Sequence, residues 1–313
     1  MKKLAVAALG GNALIRGSQL GTISEQENNA RQTCEGLIAL VKKGYDLIIT
    51  HGNGPQVGNI LLRNEAGYST YKIPKMPLDI CVADSQGGIG YMLEKELKNL
   101  LLKNKIKKNV ITIITQVEVD PDDPAFKDPT KPVGGFFLKE EADLMARANS
   151  WVFREDPRKR GWRRVVASPH PVDIMNKKII KELAREGNIV IASGGGGIPV
   201  MKNKDGSYDG IDAVIDKDLA GALLAIETGA SEFYILTDIP KVYINFHKPE
   251  QKAIDKMSIR QALKHYKDGQ FASGSMGPKV MAAINFTKHT GKDSIITESN
   301  KLNDINSGTR ITK

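Results

Sequence analysis

The stretch "YDLIITHGNGPQVG" (residues 45–58) joins a short apolar run to a loop rich in glycine. The run "YDLIIT" (45–50) is typical of a buried strand, and the loop "HGNGP" (51–55) follows it directly. Glycine lets the backbone approach a ligand closely and adopt positive φ, so the N–H groups of such a loop can converge on an anion. The loop contains no lysine or arginine. Either cations come from elsewhere in the chain, or His51 is the functional residue and the glycines only form a turn.

Apolar β-branched runs of the same kind recur, separated by segments with helical signals. The further runs are "LAVAAL" (4–9), "NVITIIT" (109–115), "NIVIAS" (188–193), "EFYILT" (232–237) and "DSIITE" (293–298). The predicted helices are a segment opened by a Ser24–Glu27 capping box and ending near Lys43, then 79–104 (one helix or a broken pair), 173–186, 217–228, 258–268 and 276–289. This alternation predicts an α/β fold with a mostly parallel sheet and helices on both faces.

Residues 120–165 break the alternation. They are rich in proline, charge and aromatic residues, from "DPDDPAFKDPTKPVGGFF" to "RKRGWRRVV". So long an excursion inside a compact domain is more often functional than idle. We expect a protruding subdomain or lid.

Composition limits the class of protein. In 313 residues, no apolar run approaches the roughly 20 that a membrane helix needs, and the apolar run after Met1 is too short for a signal peptide. Two cysteines cannot form a disulfide framework, so we expect a cytoplasmic protein with no membrane partner. The net charge of +9 is mostly spread along the chain, and "RKRGWRR" (158–164) is the one run that concentrates it. Nucleic-acid binding could use that run, but such runs are usually solvated faces and a site for small anions explains the same excess, so we expect no nucleic-acid partner.

Ligands of an open parallel sheet bind beyond the carboxyl ends of its strands. The loops predicted there are "GGN" (10–12), "HGNGP" (51–55), "GGGGIP" (194–199) and "TDIPKVY" (237–243). Three of the four are rich in glycine, which favours an anion site. The sequence has neither G-x-G-x-x-G nor a P-loop, and no zinc-hydrolase or serine-hydrolase motif.

Three lysines could supply the missing positive charge. Lys217 lies between Asp216 and Asp218 at a predicted helix start, and Lys279 follows two glycines at another. The helix dipole disfavours cations at these positions, which suggests that an anion is expected there. Lys131 lies between prolines in the excursion, and on its own it would be interpreted as a surface lysine.

With these residues assembled, the sequence resembles the carbamate kinases, a family within the amino acid kinase superfamily. The matching blocks are "ALGGNAL" (8–14), "THGNGPQVG" (50–58), "DSQGGIGYML" (84–93), "ITQVEVDPDDPAFKDPTKPVG" (114–134), "GWRRVVASPHP" (161–171), "IASGGGGIPV" (191–200), "AVIDKDLAG" (213–221), "LTDI" (236–239) and "GSMGPKV" (274–280). They span nearly the whole chain in the family's order.

The resemblance implies one domain over residues 1–313, a three-layer α/β/α sandwich around a mostly parallel sheet, with 120–165 as a protruding subdomain. It implies a carbamate side in the N-terminal half, a nucleotide side at about 190–313, and a homodimer. The implied enzyme is a phosphotransferase with a carboxyl-group acceptor, for which ATP plus carbamate gives ADP plus carbamoyl phosphate. Many bacterial members run this reaction backwards to make ATP in arginine or related nitrogen catabolism.

The resemblance also assigns residues to roles. Its catalytic set is Lys131, Lys217, Asp218 and Lys279; its substrate and phosphoryl loops contain Gly10, Gly11, Asn12, Gly52, Asn53 and Gly54; its nucleotide region contains Thr237, Asp238, Tyr243, Ser275 and Met276. Mg²⁺ would enter with ATP or ADP, held by the phosphates and not by side chains. Carbamate is already an anion, so no base is needed and His51 is not expected to take part in the chemistry.

Two alternatives stay open at this stage. One is a kinase of the same superfamily for a larger carboxylate such as acetylglutamate, although that group lacks the 120–165 excursion. The other is a non-catalytic protein that binds carbamoyl phosphate, nucleotide or nucleic acid. The presence of all the expected lysines argues against a non-catalytic protein.

Overall fold

The computed structural model describes residues 2–10, 14–16, 19–156, 159–272, 274–304 and 307–313. The helices are α1 (Ile23–Lys42), α2 (Gly54–Tyr71), α3 (Leu78–Lys103), α4 (Lys139–Asn149), α5 (Lys177–Arg185), α6 (Lys217–Glu227), α7 (Ile259–Lys267) and α8 (Met276–Thr290).

The strands alternate with these helices along most of the chain. They are β1 (Leu4–Leu9), β2 (Asp46–His51), β3 (Val110–Thr112), β4 (Gln116–Val119), β5 (Lys131–Phe137), β6 (Val152–Glu155), β7 (Trp162–Val166), β8 (Pro171–Ile174), β9 (Ile189–Ile191), β10 (Ile198–Lys202), β11 (Tyr208–Gly210), β12 (Glu232–Thr237), β13 (Val242–Ile244), β14 (Lys252–Ile254), β15 (Lys256–Ser258), β16 (Ser294–Glu298) and β17 (Thr309–Thr312).

The main sheet runs in the order β15-β17-β16-β12-β1-β2-β9-β3. In the described part of the chain its neighbours are parallel except for β16 and β17. Leu9 at the end of β1 is paired with His51 on β2 and with Leu236 on β12. The carboxyl ends of β1, β2 and β12 therefore meet at one edge, as the sequence predicts.

Both faces of the main sheet are covered. Along β1, Leu4, Val6 and Ala8 pack in one apolar cluster with residues of α5, α6 and α8, whereas alternate residues such as Leu9 pack in another with α1 and α3. Because both faces of β1 are buried, its apolar residues do not alternate with polar ones, which explains the unbroken run "LAVAAL". The predicted α/β fold with helices on both faces of a mostly parallel sheet is confirmed.

The excursion at 120–165 forms a unit that we call the lobe, residues 131–166. It contains an antiparallel sheet in the order β5-β7-β6 with α4 in the connection between β5 and β6. The segment just before the excursion, β4, belongs to a separate sheet in the order β11-β10-β4-β8. Movement of the lobe as a lid stays a prediction.

The predicted start of the first helix is wrong. The capping box is formed by Thr22 and Glu25, two residues before the predicted Ser24 and Glu27. The Glu25 carboxylate accepts from the Thr22 N–H at 2.8 Å, and Thr22 Oγ1 accepts from the Glu25 N–H at 3.3 Å. Both candidate pairs fit the S/T-x-x-E pattern, so the pattern alone could not choose between them.

Other boundaries also differ from the prediction. The predicted strand 109–115 ends at Thr112, because Thr115 leaves the sheet to exchange two backbone hydrogen bonds with the Gln86 side chain. The first residues of the predicted helix 173–186 belong to β8. The helix α2 was not predicted, since its first residues look like a loop. Residues 79–104 form one helix, α3.

No described helix is long and apolar enough to cross a membrane.

Candidate active site

Three lysines and two aspartates form a cluster at the carboxyl edge of the main sheet. Lys131 Nζ lies 2.6 Å from Asp216 Oδ2. Asp218 bridges the other two lysines, with Oδ1 2.5 Å from Lys217 Nζ and Oδ2 3.1 Å from Lys279 Nζ. Three ammonium groups against two carboxylates leave one net positive charge. Three segments distant in sequence from "HGNGP" thus bring their lysines together in one cluster.

Local structure at the start of α6 explains how the cluster is built. Asp216 is the N-cap of α6, and its Oδ1 accepts from the N–H groups of Asp218 and Leu219 at 2.9 and 3.4 Å. Its other oxygen is then free for Lys131. An aspartate is a favoured N-cap, and it offsets the unfavourable position of Lys217 in the first helical turn. Asp216 was noticed in the sequence but not assigned to the site, although the Asp-Lys-Asp triplet could have indicated it.

Burial and charge shift the pKa values of the cluster in opposite directions. Burial lowers the pKa of Lys217 to about 8, and the nearby Lys279 charge acts in the same direction. Burial also opposes the charged form of Lys279, but the Asp218 carboxylate outweighs it and raises the pKa of Lys279. The lysine charges hold the pKa of both Asp216 and Asp218 below the usual range despite burial. At neutral pH Lys217, Lys279 and the two aspartates are therefore charged.

A phosphate-binding role for this cluster predicts a basic limb in the pH profile. As the pH rises through about 8, Lys217 loses the proton that gives it positive charge in the free protein. We expect kcat/KM for phosphoryl transfer to be constant from about pH 6.5 to 7.5. Above about pH 8 it should decrease, with a limiting slope of about tenfold per pH unit. Initial rates at constant ionic strength measure this, with thermal unfolding followed over the same range as a control. A level profile to pH 9.5 would exclude a required Lys217 ammonium group.

The glycine loop after β9 connects this cluster to the loop after β2. A Cβ on Gly195 would lie 2.0 Å from Asn53 Nδ2, and a Cβ on Gly196 would lie 2.5 Å from the carbonyl oxygen of Ile215, just before Asp216. Both glycines also have positive φ, at 69° and 95°. Any side chain here would separate Asn53 from the cluster. Glycine is required at these two positions by contact and by conformation.

His51 packs against the same loop. A Cβ on Gly194 would lie 2.4 Å from His51 Nε2, while His51 Nδ1 lies 3.1 Å from the Gly52 carbonyl oxygen. Full burial lowers the pKa of His51 to about 4, so its imidazole is neutral at physiological pH. These contacts support the interpretation of His51 as a structural residue.

The backbone N–H groups of the predicted anion loops are partly occupied. Gly10 N–H donates to the Leu236 carbonyl at 2.9 Å, and Gly52 N–H donates to that of Leu9 at 3.2 Å. Both bonds join neighbouring strands of the sheet. Asn53 is the N-cap residue of α2, its Nδ2 donates to Ser85 Oγ at 2.8 Å, and Gly54 begins that helix. The positive end of α2 is thus the part of this loop best suited to bind an anion.

Several polar residues that brace the loops were not predicted. Gln86 Nε2 donates to the carbonyls of Gly194 at 2.8 Å and Thr115 at 3.1 Å. Thr50 Oγ1 donates to the Ser193 carbonyl at 2.7 Å, and Thr115 Oγ1 accepts from the Ser193 N–H at 2.9 Å. All four residues are buried. All four stand in motifs that the sequence singles out, but nothing in their spacing indicates this role.

The predicted nucleotide residues come from the C-terminal half of the chain and lie at the same edge of the main sheet. Thr237 ends β12 and its Oγ1 donates to Asp238 Oδ1 at 3.0 Å. Tyr243 lies on β13, Ser275 is the N-cap residue of α8, and Met276 begins that helix. Lys279 lies one turn further along α8, so the predicted nucleotide region continues into the cluster. Of the remaining predicted residues, Gly11 and Asn12 lie outside the described residues.

Comparison with known proteins identifies the family. The amino acid kinase family profile matches residues 3–298. The chain belongs to the amino acid kinase family. Within this family it is 48% identical to the carbamate kinase of Pyrococcus furiosus, over 96% of this chain and 95% of that protein. It is 46% identical to the carbamate kinase of Pyrococcus horikoshii over the full length of both.

Two solved structures resemble this chain to different degrees. A carbamate kinase from Giardia lamblia bound to AMP-PNP superposes with a TM-score of 0.92 at 44% identity, covering 100% of this chain and 99% of that one. A UMP kinase from Bacillus anthracis, 16% identical with a TM-score of 0.52, shares the fold alone. The carbamate kinases from the two Pyrococcus species and from Giardia lamblia are thus each more than 40% identical to this chain.

Proposed function

We propose that the chain catalyses reversible phosphoryl transfer between ATP and carbamate, giving ADP and carbamoyl phosphate. The observation that carries this proposal is the cluster in which Asp216 and Asp218 hold Lys131, Lys217 and Lys279 beside the glycine loop and Asn53. The close similarity to carbamate kinases over the whole chain selects carbamate as the acceptor.

The chemistry needs alignment and positive charge more than a base. The carbamate oxygen is already anionic and can attack the γ-phosphorus directly. In the loose transition state of phosphoryl transfer, charge spreads over the equatorial oxygens of the transferring group. Lys217 and Lys279, fixed by one carboxylate, would stabilise this charge without reorganising during the reaction. Lys131 would approach from the lobe and complete the ring of cations.

The two sides of the site would hold different reactants. Asn53, Gly54 and the positive end of α2 come from the N-terminal half of the chain, to which we assign carbamate. We assign Gly10, Gly11, Asn12 and Gly52 to the same reactant. We assign the nucleotide to the C-terminal side, with Thr237, Asp238, Tyr243, Ser275 and Met276. Giardia lamblia carbamate kinase in complex with AMP-PNP, an ATP analogue, supports nucleotide binding in this family.

Mg²⁺ would be held mainly by the nucleotide phosphates. Both oxygens of Asp218 are paired with lysines, and both oxygens of Asp216 already accept hydrogen bonds. The carboxylates nearest to the site thus have little capacity left for a metal ion. Mg²⁺ bound with the nucleotide would neutralise part of the phosphate charge. We further propose a homodimer, and ATP synthesis from carbamoyl phosphate in arginine or related nitrogen catabolism.

Incubation with ADP, Mg²⁺ and carbamoyl phosphate tests the proposed reaction. We expect the purified chain to form ATP well above the background transfer in a reaction without protein. Luciferase luminescence measures the product. A matched reaction with acetylglutamyl phosphate in place of carbamoyl phosphate is expected to give no ATP.

The result separates the candidate functions. ATP from the acetylglutamyl substrate alone would indicate a kinase for a larger carboxylate. No ATP from either substrate, together with tight nucleotide binding, would indicate a non-catalytic protein. Either outcome would contradict the proposal.

A further inference from the structure

Two glycines meet where α2 crosses the lobe. A Cβ placed on Gly58 would lie 1.9 Å from the Gly134 Cα and 2.4 Å from its backbone nitrogen. Gly58 belongs to α2, which begins at the proposed carbamate loop, whereas Gly134 belongs to β5, which begins at Lys131. The contact therefore joins the helix that begins at the proposed carbamate loop to the strand that begins at Lys131.

Helix formation does not explain the glycine at position 58. Gly58 lies inside a regular helix, where alanine is the better residue, and its φ is not positive. Gly67 in the same helix differs, because a Cβ there would meet only the Ile73 side chain at 3.7 Å. What distinguishes Gly58 is the backbone of β5, which leaves no space for a single carbon atom.

The β5 side of the contact is fixed as well. Gly134 has a φ of 74° and lies where the pairing register between β5 and β7 shifts. Its carbonyl accepts from Arg163 Nη2 at 2.7 Å. The preceding Val133 is buried in an apolar cluster with Val57 and Leu61 of α2. The backbone of β5 is therefore anchored to α2 three residues from Lys131.

From this geometry we infer that Gly58 and Gly134 are positioning residues, whose close contact sets the position of Lys131 against Asp216 and the transferring phosphoryl group. The inference rests on the proposed function, because Lys131 acts there on the phosphates. Adding a Cβ at Gly58 would push the two backbones apart by roughly 1.5 Å before ordinary van der Waals contact returned. A shift of about 1 Å in a positioned group can cost about 100-fold in rate.

A double-mutant cycle tests this inference. We expect Gly58→Ala to lower kcat/KM for ATP formation about 100-fold, and Gly67→Ala in the same helix to stay within about twofold of the parent. In a Lys131→Ala background, Gly58→Ala is expected to cost less than about threefold, since the group that it displaces is gone. If Lys131→Ala leaves no measurable turnover, the same cycle is measured as the Kd of ATP by calorimetry.

The outcomes are distinct. A Gly58→Ala protein with unchanged kinetics, or with the same loss in the presence and absence of Lys131, would overturn the inference. If Gly58→Ala does not fold, Val133→Ala replaces it in the cycle, because it loosens the anchor without adding an atom, and the same criteria apply. Absence of ATP formation by the parent protein would instead contradict the proposed function, and the ATP-binding cycle would still test the contact.

Discussion

Replacing Lys217 with alanine is expected to lower kcat by about 10²–10³-fold, the loss typical for removing one preorganised group that stabilises transition-state charge. The side chain of Lys217 is only 13% exposed and its ammonium group is held by Asp218. Water cannot readily take over its role, and the truncation leaves Asp218 with one lysine partner. Initial rates of ATP formation from carbamoyl phosphate at saturating substrate measure the effect. Lys279→Ala is expected to act in the same direction.

Lys288→Ala is the matched control for these variants. It removes a lysine from the last turn of α8, where the residue is exposed. We expect kinetics like those of the parent protein, because exposed charges contribute little here. A Lys217→Ala protein that folds and retains the parent kcat would remove this residue from the mechanism.

Replacing Asp218 with asparagine is expected to lower activity at pH 8 by about 100-fold or more, and to move the basic limb of the pH profile to lower pH. Asp218 raises the pKa of both lysines that it bridges, whereas burial lowers them. Without the carboxylate, burial and lysine–lysine repulsion remain, so the pKa of Lys217 falls below about 8. Activity relative to the parent should therefore recover partly as the pH is lowered towards 6.

A purely structural role for Asp218 would give another result. The loss of activity would then be the same at every pH, and the position of the basic limb would not move. Asp143→Asn offers the control, because Asp143 is half-exposed on the lobe and pairs with Lys139 four residues before it. We expect that substitution to change neither the rate nor the pH profile.

The fold could be predicted because its signals are local. The continuous apolar run of β1 follows from burial on both faces, and the glycine loops mark the strand ends that meet at one edge. The prediction was wrong where a long-range contact decides the structure. The predicted strand at 109–115 ends early because the Gln86 side chain forms two hydrogen bonds with the backbone of Thr115. These residues are 29 positions apart, so no local pattern reveals the contact.

The identity of the site residues was more predictable than the hydrogen bonds and ion pairs that join them. The sequence indicated Lys217 and Lys279 because helix starts do not favour lysines, whereas Lys131 was indicated only by the family resemblance. It did not indicate that Asp216 would cap α6 with one oxygen and bind Lys131 with the other. It also gave no reason for Gly58 to be glycine, since that reason lies 76 residues away in β5. The roles of the lysines stay a prediction.

The central position of β1 has a consequence for the order of folding. Its partners are β2, which follows within about 40 residues, and β12, more than 220 residues later. Because the chain emerges from the ribosome amino end first, β1 keeps one open edge until most of the protein has been made. Such non-local pairing also slows folding. We expect the sheet to close late in synthesis, and the three lysines to meet only after it closes.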